Sequence, residues 1–557
     1  MRANTNILPL ERAFQWSTTQ PNRVYMTQPM GEGIVKEYTW SQTIDEAKRI
    51  AAYIKSFNFE PGSNIAILSK NCAHFIMTDL AIWMAGHTSV AIYPTLNAET
   101  VNYILTHCEA KLLFVGKLDT WQDMKPGVPE GLPMVSYPSS PPNDYPTWDT
   151  IIAETNPIEE NPKRDANETA IIVYTSGSTG TPKGVVHSFH NLAVAALGIE
   201  EIFQLAKTDR QLSYLPLAHV FERAVVEIGS LYNSTQLFFA ESLDTFIRDL
   251  QRARPTLFHS VPRLWLKFQL GVFKKMPAKK LDRLLKIPVL NNIIKKKVLK
   301  GLGLDACRLA ISGSAPIPPD LINWYRKLGL ELLEAYGMSE NFAYSHANLP
   351  GKTRIGYVGN TLPGVEHKIS DEGEILVKSP ADMTGYYKMP EISQASFTKD
   401  GFLKTGDRGE IDTQGRLRIT GRVKELFKTS KGKYVAPAPI ENLINADPHI
   451  EQSCVAGSGY PACYALVMLS DQWRGRVQES DIKQQLTETL TQLFYQVNQE
   501  VEPHEKLQFM VIVQDEWQIE NGFLTPTMKI KRNILEDTYA PKLDSWYSSK
   551  EKIIWES

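Results

Sequence analysis

Two hydrophobic periodicities alternate along the first part of the chain. Short apolar runs rich in β-branched residues are typical of buried strands, and apolar positions three and four apart are typical of helices. The predicted strands cover residues 64–68, 89–93 and 111–115, and the predicted helices cover 44–54, 75–84 and 98–107. Ser41 or Thr43 is the expected cap of the first helix. This alternation predicts a mostly parallel sheet covered by helices.

The same pattern resumes after a proline-rich stretch. Residues 125–147 are rich in proline, and we expect an irregular surface excursion there. Further strands are predicted at 170–174, 308–312 and 329–335, and a smaller β-rich unit is predicted around 356–377. We therefore expect an α/β fold, in which a large N-terminal domain over residues 1–423 combines mostly parallel βα-layered sheets with a β-rich subdomain.

The pattern changes near residue 424. Beyond it, strand-like runs at 452–456, 464–469 and 509–513 accompany one long amphipathic helix at 480–498. Short strands with single helices are typical of an α+β domain. We therefore expect a smaller C-terminal domain of this type over residues 424–557.

Composition limits the classes of protein to which the chain can belong. Its 557 residues suggest about two to four domains, and 60 basic against 62 acidic residues argue against a general nucleic-acid binder. The five cysteines are scattered without a Cys-x-x-Cys pair, as suits a reducing cytosol. The sequence contains no signal-peptide core and no apolar run of about 18 residues, so a cytoplasmic location is expected.

One loop carries an unusual density of glycine and hydroxyl residues. Residues 174–184 read Tyr-Thr-Ser-Gly-Ser-Thr-Gly-Thr-Pro-Lys-Gly, and helical spacing begins at Leu192. Glycines allow a backbone to approach an anion, while hydroxyls, free N–H groups and a lysine replace the water around a phosphate. The spacing matches neither the Walker pattern nor a hydrolase nucleophile elbow, and a flexible surface loop is the alternative. We expect a phosphate cradle on a strand-to-helix loop. The residues predicted to bind phosphate are Thr175, Ser176, Gly177, Ser178, Thr179, Gly180 and Lys183.

This loop resembles the nucleotide loop of the adenylate-forming superfamily, which includes acyl-CoA synthetases, luciferases and peptide-synthetase adenylation domains. Three further motifs follow in the expected order. They are Tyr-Gly-Met-Ser-Glu at 336–340, Lys-Thr-Gly-Asp at 404–407 with Gly-Arg-Val-Lys at 421–424, and Thr-Pro-Thr-Met-Lys at 525–529. Ser339 replaces the family's Thr and keeps the hydroxyl, and the Thr-Pro-Thr form before Lys529, typical of long-chain enzymes, replaces the common Ser-Gly. The resemblance covers nearly the whole chain.

The resemblance implies a nucleotide site at the carboxyl edge of a parallel sheet, where ligands commonly bind. Its contacts are expected from Gly313, Ser314, Ala315, Tyr336, Gly337, Ser339, Asp407 and Arg422. Tyr336 offers a flat face for adenine, and the carboxylate of Asp407 suits a ribose diol. Glu340, together with Thr175, is the expected Mg²⁺ ligand. On composition alone these segments are ordinary turns, with a capping acid and a surface ion pair.

Catalytic and gating roles follow from the same resemblance. The implied catalytic residues are Lys529, His219, Ser339 and Glu340. Lys529 is expected to neutralise charge on the reacting phosphate, and His219 to lie near the reacting carboxylate, although a lone histidine is more often structural. Trp265 is expected to gate an acyl tunnel, with core packing as the alternative. Lys424 matches the pivot of a mobile lid, and Gly432 is expected to face the access path of the CoA thiol.

Together these implications describe a long-chain fatty acid–CoA ligase that uses ATP, CoA and Mg²⁺ and passes through an acyl-adenylate. An acyl-AMP ligase that loads a carrier protein and a ligase for medium-chain or aryl acids are alternatives within the superfamily. An ATPase or kinase that uses the phosphate loop, and a non-catalytic nucleotide-binding module, are alternatives from other classes. Acid-dependent pyrophosphate exchange separates the ligases from an ATPase or kinase.

Residues 272–300 form a basic amphipathic segment. The cationic residues are Lys274, Lys275, Lys279, Lys280, Arg283, Lys286, Lys295, Lys296, Lys297 and Lys300, with Asp282 as the acid among them. A charge run of this kind is usually a solvated face. Its interleaved Leu, Ile and Val residues also suit peripheral contact with an anionic membrane, at the inner face.

Overall fold

The computed structural model describes residues 7–176, 181–525 and 528–556. Residues Gly177, Ser178, Thr179 and Gly180 of the predicted phosphate loop therefore lie outside the described residues. The chain divides into two compact units. The first comprises residues 1–315, 321–367 and 377–404, and the second comprises residues 316–320, 368–376 and 405–557. The domain boundary expected at Lys424 stays a prediction.

The largest sheet that the described residues form lies in the first unit. In order across the sheet, its strands are Gly385–Tyr386, Pro182–Ser188, Thr169–Ser176, Thr88–Ile92, Asn64–Leu68, Leu112–Val115 and Met134–Ser136. The five strands from Thr169–Ser176 to Met134–Ser136 run parallel, and the other two join antiparallel. Asn64–Leu68 and Thr88–Ile92 are buried along their whole length, as expected of strands covered on both faces. The predicted α/β architecture is confirmed.

Two expectations about this sheet are wrong. The proline-rich stretch 125–147 does not stay outside the sheet, because Met134–Ser136 pairs with Leu112–Val115 as an edge strand. An edge strand tolerates flanking prolines, since one side of it needs no ladder partner. The phosphate loop does not lead directly into a helix. It joins Thr169–Ser176 to the antiparallel strand Pro182–Ser188, so that Lys183 lies opposite Thr175 in a hairpin.

Helices cover these sheets as the periodicity predicts. The α-helices before residue 404 are Pro9–Thr19, Trp40–Ser56, Ala73–Met84, Ala98–His107, Trp121–Met124, Trp148–Glu154, Phe189–Phe203, Val220–Glu222, Gly229–Asn233, Phe246–Ala253, Pro262–Lys275, Ala278–Leu285, Pro288–Gly301, Pro319–Lys327 and Pro390–Ala395. The expected cap at Ser41 or Thr43 is wrong. Thr39 caps Trp40–Ser56, because its hydroxyl accepts from the Gln42 N–H while the Gln42 side chain bonds back to the Thr39 N–H.

Two smaller sheets complete the first unit. One has the strand order Leu257–Ser260, Leu309–Ser312, Leu332–Tyr336, His346–Ala347 and Asn360–Thr361, and its first three strands are parallel. The other has the order Ile34–Thr39, Val24–Gly31, Gln236–Phe239 and Arg210–Ser213. A π-helix, Arg223–Ile228, connects the short helices Val220–Glu222 and Gly229–Asn233.

The second unit is built on β-structure with helices on both sides of its main sheet. That sheet has the order Ile450–Ala456, Cys463–Leu469, Leu507–Ile512 and Ile553–Trp555. Its helices are Pro437–Ile444, Asp471–Arg474, Ser480–Glu500, Arg532–Tyr539 and Leu543–Ser548. Ser480–Glu500 contributes an apolar stripe to one core, and Arg532–Tyr539 contributes to a second core on the other face. A further four-stranded sheet, of which most residues belong to the second unit, contains Glu366–Ile369, Glu374–Lys378, Leu403–Ile411 and Leu417–Arg422.

No helix in the described part of the chain is both long enough and apolar enough to cross a bilayer.

Candidate active site

Two loops of the first unit leave the same edge of a parallel sheet. Residues 313–315 follow Leu309–Ser312, and residues 337–340 follow the neighbouring strand Leu332–Tyr336. A Cβ added to Gly337 would lie 2.6 Å from the carbonyl carbon of Ala343, so the second loop requires glycine there. The structure thus brings together Gly313, Ser314, Ala315, Tyr336, Gly337, Ser339 and Glu340, as predicted for a nucleotide site.

Tyr386 contacts both Glu340, the predicted metal ligand, and the hairpin formed by Thr169–Ser176 and Pro182–Ser188. Its hydroxyl donates to Oε1 of Glu340 over 2.7 Å, and its ring centroid lies 5.3 Å from Nζ of Lys183. The strand Gly385–Tyr386 reaches this position by pairing with Pro182–Ser188. Burial, reinforced by the Glu340 carboxylate, raises the pKa of Tyr386, so the phenol keeps its proton and donates. Sequence reasoning missed this residue, because two adjacent tyrosines carry no periodic signal.

His187 holds the backbone beside Glu340. Its Nε2 lies 2.7 Å from the carbonyl oxygen of Ser339, and a carbonyl only accepts, so Nε2 carries the proton. Burial lowers the pKa of His187 to about 4, which keeps the ring neutral near neutral pH. The Met383 N–H donates to the Glu340 carbonyl over 2.7 Å. The hairpin and this loop therefore form one hydrogen-bonded assembly.

The oxygen donors at this place fit Mg²⁺. Glu340 supplies a carboxylate, and the half-buried Thr175 supplies a hydroxyl from the hairpin that carries Lys183. Mg²⁺ is commonly bound by one or two carboxylates, several waters and the phosphates of a substrate. The described residues contain no group of three or more His, Cys, Asp or Glu side chains arranged to hold a metal. A single carboxylate beside a phosphate loop agrees with the sparse protein ligation that Mg²⁺ accepts.

His219 has a structural role in this conformation. It is the N-cap of Val220–Glu222, and its Nδ1 accepts from the Phe221 N–H over 3.2 Å. With Nδ1 engaged as an acceptor, Nε2 is the nitrogen that carries the proton of the neutral ring. The side chain is half-buried. The expected place of His219 near the reacting carboxylate stays a prediction.

A mostly apolar cavity lies behind the sheet edge in the first unit. It is lined by residues that include Phe221, Leu257, His259, Leu309 and Ile311. Leu257 and His259 share one face of a strand, and Leu309 and Ile311 share the same face of the next, because strand side chains alternate. A Cβ on Gly313 would lie 3.4 Å from the Phe221 ring. The cavity therefore adjoins the predicted nucleotide loop.

Trp265 packs in the core beside this cavity. It lies on Pro262–Lys275, is fully buried, and makes edge-to-face contacts with Phe258 and Tyr325. The Tyr325 hydroxyl donates to the Trp265 carbonyl over 2.7 Å. Trp265 is not among the described residues that line the cavity. Packing is thus its observed role, and gating stays a prediction.

Asp407 and Arg422 lie opposite each other in the second unit. They are cross-strand partners, and the Arg422 Nε donates to Oδ1 of Asp407 over 3.0 Å. The Asp407 side chain is largely buried, whereas that of Arg422 is half exposed. The predicted proximity of the two residues is thus observed. Binding of a ribose stays a prediction.

The predicted hinge and thiol-facing residues are exposed. Lys424 lies in the single turn Val423–Glu425, which follows the strand Leu417–Arg422. Gly432 lies at the tip between Phe427–Lys428 and Tyr434–Val435, with φ +78°. Its N–H donates to the carbonyl oxygen of Thr429, and a positive φ at this place favours glycine.

Lys529 is exposed and lies on a turn of the second unit, and the nearby Arg532 is largely buried. The Lys529 N–H donates to the Thr525 hydroxyl, and the Thr525 N–H donates to the Lys529 carbonyl. Three residues on, Arg532 contacts Oε1 of Glu441 at 2.7 Å and donates to the Val455 carbonyl over 2.7 Å. Burial opposes the charge of Arg532, but Glu441 outweighs it and raises the pKa of Arg532. Sequence reasoning missed this anchor.

The fold is that of the adenylate-forming enzymes. It includes the loops at the sheet edge, the hairpin that carries Lys183 and the α+β unit. Among solved structures, the anthranilate CoA ligase AuaEII in complex with anthranoyl-AMP superposes with a TM-score of 0.77 at 20% identity, over 97% of this chain and 98% of that one. The adenylation domain of the carboxylate reductase from Mycobacterium chelonae has a TM-score of 0.80 at 20% identity, over 97% and 91%. These likenesses show the fold.

Sequence comparison defines the family. The long-chain-fatty-acid–CoA ligase FadD15 of Mycobacterium bovis is 28% identical over 96% of both chains. The model of the AMP-binding enzyme family matches residues 13–387, and that of its C-terminal domain matches residues 425–551. The chain therefore belongs to the AMP-binding enzyme family and is an AMP-forming ligase.

Proposed function

We propose that the protein is a long-chain fatty acid–CoA ligase, which forms acyl-CoA from a fatty acid, ATP and CoA. The observation that carries the proposal is the mostly apolar cavity that adjoins the nucleotide loop at Gly313. An apolar pocket with a few polar groups is the usual receptor for a lipid-like ligand. The mycobacterial relative at 28% identity is a long-chain-fatty-acid–CoA ligase, which supports the same substrate class.

In the first half-reaction, a carboxylate oxygen of the fatty acid attacks the α-phosphorus of ATP. The bond from that phosphorus to the bridging oxygen breaks, and pyrophosphate leaves with the electron pair. Lys183 and the hairpin bind the phosphates, Tyr386 orients Glu340, and Lys529 neutralises charge on the bridging oxygens. Placement of such charges accounts for most of the catalysis of phosphoryl-type transfers.

Glu340 and Thr175 are the residues that would hold Mg²⁺. The ion supplies positive charge that neutralises the phosphate oxygens when it is bound. Tyr386 keeps one oxygen of Glu340 engaged and thereby fixes the direction of the carboxylate.

In the second half-reaction, the sulfur of the CoA thiol attacks the acyl carbonyl, the bond to the phosphate oxygen breaks, and AMP leaves. The thiol proton passes to solvent. We propose that rotation about Lys424 withdraws Lys529 and turns Gly432 towards the thiol. A Lys424→Pro variant is then expected to keep the first half-reaction and lose the second. Parallel loss of both steps would count against the hinge.

Thioester formation tests the substrate class. Mass spectrometry of reactions with acetate, hexanoate, palmitate and benzoate is expected to show the largest acyl-CoA yield with palmitate. Preference for acetate or benzoate would reject the long-chain assignment and favour the medium-chain or aryl alternative. Formation of acyl-AMP without thioester when CoA is present would favour transfer to a carrier protein.

We further propose that the enzyme contacts an anionic membrane through the segment 272–300. The helix Pro288–Gly301 buries none of its side chains. Val289, Ile293, Lys296 and Lys300, at spacings of i, i+4, i+7 and i+11, lie on one exposed face. Val289 is 79% exposed and Ile293 is 59% exposed. Exposed aliphatic side chains flanked by lysines are the composition that binds anionic lipid surfaces.

Vesicle binding tests this surface. The protein is expected to sediment with phosphatidylglycerol vesicles and not with phosphatidylcholine vesicles, and the binding to weaken at high salt. A Val289→Ser/Ile293→Ser variant is expected to lose most of the binding. Ile34→Ser and Leu243→Ser, which remove exposed aliphatic side chains elsewhere, are the matched controls. Equal binding by all variants would overturn the assignment.

A further inference from the structure

Glu222 is a fully buried carboxylate next to the acyl cavity. Its Oε1 accepts hydrogen bonds from the Asn71 amide, the Ser213 hydroxyl and the Tyr214 N–H at 3.2, 2.8 and 3.0 Å. Its Oε2 lies 2.6 Å from Nε2 of His259. Carboxylate oxygens accept hydrogen bonds, so Nε2 of His259 is the donor in this pair.

This arrangement fixes the chemical character of His259 towards the cavity that it lines. With the proton on Nε2, Nδ1 of the neutral ring is an acceptor. No hydrogen bond to Nδ1 is formed by the described residues. A hydroxyl group can donate to this nitrogen, whereas a methylene group cannot.

Gln211 places a second polar atom at the same cavity. The side chain lines the cavity and is fully buried. Its Nε2 contacts the Thr235 hydroxyl at 3.3 Å and the Val225 carbonyl at 3.4 Å, which directs the amide. Its Oε1 has no hydrogen-bond partner within the described part of the chain. A buried acceptor without a donor is costly, so this atom favours a ligand that brings one.

The two polar positions lie at different depths. His259 is next to Ser260, which ends its strand at the edge where the nucleotide loop begins. Gln211 follows Arg210, which exchanges hydrogen bonds with Thr256 at the opposite end of that strand. Gln211 is thus about two residues below the level of His259, and since a strand rises about 3.3 Å per residue, it lies roughly 7 Å further from the nucleotide edge. A chain that enters from the nucleotide side passes His259 first.

We infer that the preferred substrates are hydroxylated fatty acids, whose hydroxyl binds at His259 or, further along the chain, at Gln211. The inference rests on the proposed ligase function and names the acid within it. A plain hydrocarbon chain leaves both polar atoms unpaired, whereas a hydroxyl at the matching carbon pairs with one of them. Sites built for a hydroxyl discriminate strongly against the analogue that lacks it.

The experiment compares palmitate with hydroxypalmitates whose hydroxyl lies at successive positions along the chain. The full-length enzyme is expected to show kcat/KM about tenfold or more above palmitate for at least one isomer. His259→Phe is expected to abolish the preference for hydroxyls near the carboxylate. Gln211→Met nearly conserves the side-chain volume and is expected to abolish the preference for hydroxyls further along the chain. Phe258→Leu, which alters an apolar lining residue, is the control and is expected to keep the isomer ranking.

Three outcomes are distinguishable. Palmitate handled as well as or better than every isomer would overturn the inference and leave the ligase proposal intact. Activation of no acid at all would overturn both. An isomer preference that survives both Gln211→Met and His259→Phe would place the hydroxyl elsewhere and also overturn the assignment. Because His259→Phe deprives Glu222 of a partner, its thermal midpoint is measured, and the Gln211→Met result decides if that variant does not fold.

Discussion

The two lysines assigned to phosphate chemistry are supported in opposite ways. Lys183 lies in a paired strand of the first unit, above the ring of Tyr386, whose hydroxyl donates to Glu340. Lys529 lies on an exposed turn of the second unit, and the largely buried Arg532 anchors that turn three residues further on. Because Lys183 belongs to a strand of the sheet, we expect it to keep its position through both half-reactions. A cation on an exposed turn that is anchored at one end suits a group that acts in adenylation and moves away before thioester formation.

The largest expected effect is the loss of the buried anchor. Arg532→Met leaves Glu441 buried without its cation, and breaking a buried pair typically costs about 3–5 kcal/mol. The free energy of unfolding, measured by hydrogen exchange in Ile450–Ala456, is expected to fall by that amount. Arg476→Met removes an exposed pair with Glu479 and is expected to cost less than about 1 kcal/mol. Equal small losses would show that Arg532 does not anchor the turn.

Removing Lys529 is expected to lower the rate of adenylation without unfolding the protein. Lys529→Ala deletes the charge that we propose acts on the transition state, and the loss of one such group typically costs about 10²-fold or more. Thioester formation from preformed acyl-AMP is expected to change little, because the proposed rotation about Lys424 withdraws the turn before this step. Lys531→Ala is the neighbouring control. Loss of both half-reactions to the same extent would contradict the division of roles between the two lysines.

His187, on the hairpin strand Pro182–Ser188, is expected to make the stability of the first unit depend on pH in acid. Burial depresses the pKa of His187 to about 4, below the unfolded value of about 6.5, so the unfolded chain binds more protons between these values. The free energy of unfolding therefore decreases as the pH falls from about 6.5 to about 4, by up to about 1.4 kcal/mol per pH unit for one group. His187→Gln keeps an N–H donor but removes the titrating ring. The free energy of unfolding of this variant is expected to depend less steeply on pH between about 4 and 6.5, by the contribution of one group. An unchanged slope would show that His187 does not stay neutral, and His190→Gln is the control.

The smallest expected effect concerns the orientation of Glu340. Tyr386→Phe removes the hydroxyl that donates to the carboxylate, and hydrogen bonds to charged groups are worth about 1.5–3 kcal/mol. We expect adenylation to slow by about tenfold and the Mg²⁺ concentration for half-maximal rate to rise. Tyr387→Phe, which removes a hydroxyl bonded to Asn64 instead, is the matched control. A rate loss with unchanged Mg²⁺ dependence would separate Tyr386 from the metal ligand.

Local patterns predicted the parts of the fold that repeat regularly. The buried strand Asn64–Leu68 and the helix Ala98–His107 have the predicted bounds, because continuous apolar runs and helical spacing determine them. Pro182–Ser188 was missed because Lys183, Gly184 and His187 interrupt its apolar pattern. Met134–Ser136 was missed because the prolines around it suggested a loop.

Site residues divide in the same way. Motif order placed Tyr336 and Glu340 at one sheet edge, as the structure shows. The contacts of Tyr386 with Glu340 and of Arg532 with Glu441 join residues far apart in the sequence. No periodicity encodes such pairs, since they depend on how strands from different parts of the chain are brought together. The residues that support the site were therefore invisible before the fold was known.

Exchange of labelled pyrophosphate into ATP is the most direct measurement of the central claim. With palmitate and Mg²⁺ present and CoA absent, the enzyme is expected to incorporate label at a rate that depends on the acid and falls about 10²-fold in Lys529→Ala. Absence of exchange with every carboxylic acid tried, from a folded enzyme that still binds ATP, would contradict it.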